Sequence, residues 1–211
     1  MRNTIKLLAV FALMLGTFSQ HTAASAGTRQ KYRNVSTFIF SYDPSGCIST
    51  TVSVFAYEQV ILGRPSPGSS DSAVHLLITQ FDTCEGRTLR SVDAFSSLAD
   101  SDLQISGNLG SATLNTTINV YDSVSNSYSD LLIDMTWTGT GSLLHYNRHY
   151  KDIWPGAGCK ELYHSNEALR YAEASGTVSD GTTNFASGSS YDPYTILFSN
   201  NYAELLVGCL W

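Results

Sequence analysis

Four histidines lie beyond residue 27: His75, His145, His149 and His164. His145 and His149 are four apart, in Leu144-His145-Tyr146-Asn147-Arg148-His149-Tyr150. On a helix that spacing puts both rings on one face, ready for a metal ion. In a strand they also share a face, but about 13 Å apart, too far for one ion. His164 joins them only if its own strand pairs alongside. His145, His149 and His164 are therefore the candidate metal ligands, and polar residues on an exposed strand are the plainer reading. His75, between Val74 and Leu76, reads as a satisfied or edge-exposed residue of an apolar strand. Tyrosine is frequent, with 12 in the chain, and Tyr146, Tyr150, Trp154 and Tyr163 fall close together. Aromatic rings on a sheet can stack on sugars or anchor a protein partner, so these four are the candidate ligand-binding residues.

Carboxylates offer a second chemistry. Glycosidases need two of them facing each other about 5–9.5 Å apart. Asp130, Asp134 and Glu173 could form such a pair, but no spacing selects them. Asp100, Asp102 and Asp180 sit in loop-like segments with Ser or Gly neighbours, which suits either calcium or ordinary turns. No cofactor is expected, structural calcium being the one alternative these loop acids leave open. The G-x-S-x-G elbow, H-E-x-x-H, the P-loop and the EF-hand loop are all missing.

The elements that must position these residues alternate with period two. Val52, Val54 and Ala56 alternate with Thr51, Ser53 and Phe55. Leu114, Ile118 and Val120 alternate with Asn115, Thr117 and Asn119. Leu131, Ile133, Met135 and Trp137 form the clearest stripe. Such alternation marks antiparallel strands with one wet face. Breaks fall at Asp43-Pro44-Ser45-Gly46, Gly63 to Ser72, Gly107 to Ser111, Ser123 to Ser127, Trp154 to Gly158 and Ser179 to Thr183. Asn166 to Ala174 has helix formers behind a capping Asn, yet the surrounding pattern favours a strand. The expected fold is all-β: an antiparallel sandwich, immunoglobulin-like or jelly-roll-like, of roughly ten strands, with a β-barrel as the alternative.

The N-terminus has the layout of a secretory signal. Arg2 and Lys6 precede an apolar run from Leu7 to Phe18, and Ala24-Ser25-Ala26 suits signal peptidase. Residues 1–26 are thus expected to be a signal peptide, and 27–211 a single secreted β-rich domain with no membrane anchor after cleavage. Loss of Arg2 and Lys6 takes the formal net charge from −6 to −8. That balance argues against nucleic acid as a partner, since phosphates need clustered Lys and Arg. Arg29, Lys31 and Arg33 make the one basic cluster and read as a solvated tail. The four cysteines, Cys47, Cys84, Cys159 and Cys209, allow three pairings in an exported protein. A hairpin running from Cys47 to Cys84 would bring its two ends together. Cys47–Cys84 and Cys159–Cys209 are the expected bridges.

The segments Asp43-Pro44-Ser45-Gly46-Cys47-Ile48, Gly110 to Thr117, Met135 to Gly141 and Ala172 to Thr182 resemble a group of uncharacterised exported bacterial β-rich proteins. That resemblance implies a bacterial exported origin and brings no activity or site residues. The leading functional expectation is a secreted, non-enzymatic module that binds a glycan or an extracellular protein. A secreted hydrolase with its site near His145, His149 and Glu173 is one rival. A structural envelope or matrix component is the other. The mature chain should give a strand-dominated circular dichroism spectrum and no reactive thiols before reduction. A helical spectrum, or four free thiols, would overturn this reading.

Overall fold

The computed structural model describes residues 28–62, 69–154, 159–187, 189–190 and 195–207, without the side chains at 28, 154, 159–161, 189–190 and 204–207. The alternating stripes become strands: β1 (Thr28–Tyr42), β2 (Ile48–Leu62), β3 (Ser69–Asp82), β4 (Arg87–Ser97), β5 (Leu103–Ile105), β6 (Ser111–Asp122), β7 (Ser127–Trp154), β8 (Cys159–Ser179), β9 (Ser189–Ser190) and β10 (Ile196–Val207). Among the described residues no helix is long and apolar enough to cross a membrane. The segment with helix-forming residues, Asn166 to Ala174, lies inside β8. The break expected from Gly63 to Ser72 is shorter, because β3 begins at Ser69.

All ten strands belong to one antiparallel sheet, ordered β10-β8-β7-β6-β4-β3-β2-β1-β9. Its ends meet, because β1 also pairs with β10 over Thr28↔Glu204 to Ser36↔Ile196. A sandwich or barrel-like arrangement fits this closed ladder. Arg29, Lys31 and Arg33 are not a loose tail, as their composition suggested. They lie in β1, hydrogen-bonded to β10 on one side and β2 on the other. Arg33 forms an ion pair with Glu58 and donates to the Ile105 carbonyl at 2.6 Å.

The inward stripes fill the ring. Val52, Val54, Leu76, Ile78, Leu114, Leu131, Ile133, Met135 and Trp137 are fully buried. Each such side chain contributes about 1.5–3 kcal/mol relative to exposure. Trp137 reaches across this core, and its indole N–H donates to the Ser36 carbonyl at 3.1 Å. Room for the stripe depends on Gly176, opposite Met135. Its φ is +135°, and a Cβ there would run into the Asp134 carbonyl oxygen.

The ring has one thin joint. β4 and β6 share the single pair Val92↔Asp122, after which they splay. β5 fills the wedge by pairing with β6, and Leu98, Leu103, Ile105 and Leu109 bury themselves there. At the joint, Asp122 Oδ1 accepts the amides of Ser91 at 3.1 Å and Val124 at 3.0 Å. Arg90 lies 3.7 Å from Asp122 and 3.3 Å from Asp180, and stacks on Phe185 at 4.5 Å.

At the base of the β2–β3 hairpin, Cys47 and Cys84 are disulfide-bonded with a Cα separation of 5.3 Å, as the strand pattern suggested. The expected Cys159–Cys209 bridge falls outside the described residues. On the chain-entropy account, a bridge spanning 37 residues stabilises by about 3–4 kcal/mol.

Burial alone would raise the Asp122 pKa, but the hydrogen bonds from Ser91, Val124 and Ser125 outweigh it and hold the carboxyl below its usual value. A depressed native pKa stabilises fully above the ordinary carboxylate value of about 3.9 and fades as pH falls through the lower native one. Asp122→Asn should therefore lower the urea midpoint near neutral pH and narrow the difference between about pH 7 and about pH 3. Midpoints that fall in parallel with those of the native sequence would contradict this role.

Candidate functional site

Past Thr140 the ladder between β7 and β8 shifts register and resumes at Leu144↔Leu169. From there, among the described residues, β7 pairs only with β8, since its ladder to β6 ends at Ser111↔Thr138. This hairpin carries all the histidine and tyrosine candidates. Its register sets Tyr146 opposite Glu167, Arg148 opposite Ser165, His149 opposite His164 and Tyr150 opposite Tyr163. Side chains alternate between faces, so the hairpin has two different surfaces.

One surface continues the outside of the ring. Tyr150 and Tyr163 stand side by side on it, and Tyr163 packs on Tyr202 of β10 with ring centroids 4.7 Å apart. Arg148 lies 3.3 Å from Glu167, which also accepts from the Ser165 hydroxyl at 3.1 Å. Further across the same face, Tyr32 stacks on Tyr57 at 5.7 Å and meets Phe198 edge-on at 6.5 Å. Burial pushes the Tyr32 hydroxyl well above the usual tyrosine range. The face therefore grades from buried rings near β1 and β2 to open ones at the β7 edge, where Tyr146 is 47% and Tyr150 59% exposed. Among the described residues, no donor reaches the buried Oδ1 of Asn200. Arg148, Tyr150 and Tyr163 of this face border an open depression of about 430 Å³, which also reaches His149 between them on the strand.

The opposite surface is the continuation of the inner wall, and it is polar. His149 Nδ1 lies 3.0 Å from His164 Nδ1, and the ring centroids are 4.3 Å apart. The Asn166 amide is 3.0 Å from His164 Nε2. His145 is four residues from His149 on the same strand, about 13 Å away, and pairs with Ala168. The fold brings together two of the three candidate histidines, then, and not the third. Trp154 ends β7, and its side chain lies outside the described part.

The carboxylate candidates do not converge. Asp130 is held by Asn119 at 2.7 Å on the far outer face. Asp134 pairs with Thr177 and Glu173 with Thr138, four residues apart along each strand and about 13 Å. Glu173 stands nine positions from His164 along β8, about 30 Å away, and on the other face. Asp102 and Asp180 serve turns: Asp102 accepts from Ala99 and Thr116, and Asp180 from Thr182 and Thr183. Among the described residues no three His, Cys, Asp or Glu side chains gather as a metal site. His75 is satisfied by Asp93 at 2.7 Å.

No protein-family model matches the chain, and no curated protein does. A solved protein from Nitrosomonas europaea, provisionally named AttH, aligns over 92% of this chain at 9% identity with a TM-score of 0.31. The chain spans 56% of that protein's length. A likeness of this size carries no argument about fold detail or activity.

One signal for the site was open to sequence reading. Folding the chain so that Trp154 meets Cys159 sets His149 against His164 and Tyr150 against Tyr163. The contribution of Tyr202 had no such signal, because it depends on a pairing between distant strands.

Proposed function

We propose that this chain is a non-enzymatic glycan-binding module that acts outside the cytoplasm. The observation that carries the reading is the open tyrosine row at the β7 edge, where Tyr146, Tyr150 and Tyr163 share a face with Arg148 and Glu167. Tyrosine rings stack on the apolar faces of sugars, while their hydroxyls and a fixed ion pair meet sugar hydroxyls. A patch made for a purely apolar partner would carry Leu and Phe instead. Tyr146 and Tyr150 are about 13 Å apart along the strand, which suits an oligosaccharide better than a single sugar. The Cys47–Cys84 bridge supports an oxidising compartment. The signal-like N-terminus and the resemblance to exported bacterial proteins support secretion by a bacterium.

The test is retention of the mature protein on a glycan array and on insoluble polysaccharides. Tyr150→Ala and Tyr163→Ala should each weaken binding by about five- to tenfold, equivalent to roughly 1 kcal/mol. Tyr128→Ala, at a well-exposed ring far along the chain, should leave it unchanged. Capture of a protein partner with no glycan bound would replace this reading with the protein-binding one. No retained ligand of either kind would favour a matrix component.

A further inference from the structure

We propose that His149 and His164 form a two-imidazole site for a divalent copper ion, on the face of the β7–β8 hairpin opposite the tyrosines. Their register partnership fixes both Cα positions, so the rings meet without any loop having to fold over them. The two Nδ1 atoms are 3.0 Å apart. An ion bonded to both at about 2.0–2.1 Å would subtend an angle of about 95°. That is nearer the right angle of tetragonal coordination than the tetrahedral angle zinc prefers, and copper(II) also leads the affinity order for nitrogen ligands. The rings now share a hydrogen bond along the N–N line, so each must turn by roughly 40° to aim its lone pair at one ion, and the solvent-exposed setting of the pair leaves room for that turn.

The second shell is already in place. A ligating histidine usually donates its other ring N–H to an oxygen, which fixes its tautomer. Asn166 sits 3.0 Å from His164 Nε2. Half a turn of its amide presents the carbonyl oxygen there, and the two amide ends are interchangeable in placement. His164 then keeps its proton on Nε2 and turns the Nδ1 lone pair to the ion. Without the ion, one Nδ1 must carry a proton that the other accepts, which accounts for the present contact. No third His, Cys, Asp or Glu joins the pair among the described residues, so water completes the coordination. Lys151, two residues along on the same face, works against electrostatic capture of a cation. Coordination by the imidazoles is what holds the ion.

The experiment titrates the untagged mature chain with copper(II) alone, followed by calorimetry and electron paramagnetic resonance. The expected result is one ion per chain with hyperfine structure from two imidazole nitrogens. His149→Ala or His164→Ala should abolish that signature, and Asn166→Ala should weaken binding by about tenfold. His145→Ala, about 13 Å from the pair, should change nothing. A native-sequence spectrum lacking two nitrogens would overturn the proposal, and needs no variant to fold. Undiminished binding when His149→Ala and His164→Ala are combined, or an equal loss in His145→Ala, would overturn it as well. Glycan retention tested in parallel separates this site from the tyrosine face, since neither result depends on the other.

Discussion

Asp122 sits where β4 and β6 share a single residue pair, and its carboxylate adds side-chain hydrogen bonds to that short ladder. One oxygen holds the Ser91 and Val124 amides, and the other faces Arg90. Arg90 in turn reaches Asp180 and lies over Phe185, whose loop tucks into this end of the ring. Every other main junction in the ring rests on a long ladder. The buried stripe from Val52 to Trp137 needs all sides closed, since an open side would wet it. The hydrogen-bonded acid, the Ser123 amide on the Ser91 carbonyl at 3.0 Å and the wedge of β5 together make the closure on which core burial depends.

The two halves of the sheet use their faces in opposite ways. Around the core the inner face is apolar, while the outer face presents Thr113, Asn115, Thr117 and Asn119. Beyond the register shift after Thr140, the inner face carries His149, His164 and Asn166, and the outer face carries tyrosines. Strand pairing continues through this change without interruption between β8 and β10. Backbone hydrogen bonds do not care which face is wet, so the second half can give both its surfaces to ligands. The first half supplies the rigidity.

Much of this was legible in the chain. The period-two stripes named the core residues, because a one-residue slip would turn the whole set outward. The Cys47–Cys84 bridge followed from a hairpin whose ends must meet. Arg29, Lys31 and Arg33 were misleading, because three cations near an N-terminus look like a solvated tail. Only a pairing with β10, the last of the described strands, makes β1 an interior strand of the ring. The histidine pair was legible only in part for a related reason: His164 was a candidate only if its strand paired alongside, and which histidine it meets depends on hairpin register. Long-range pairing, in both cases, decided what local composition could not.

The order of the strands also bears on how the chain reaches this state. The main ladders from β1 to β4 and from β6 to β8 join neighbours in sequence, so most pairing can begin locally and early. The β1–β10 ladder is different, because it ties together the two ends of the described chain. Its loop-closure entropy grows only logarithmically, by about 0.6 kcal/mol for each doubling of length. The obstacle is timing more than energy: β1 must wait, with one edge unsatisfied, until β10 can reach it. An exposed edge strand invites pairing with other chains. The alternating Arg29, Lys31 and Arg33 are then well placed to keep that waiting edge from the wrong partner, by mutual repulsion between partly folded copies.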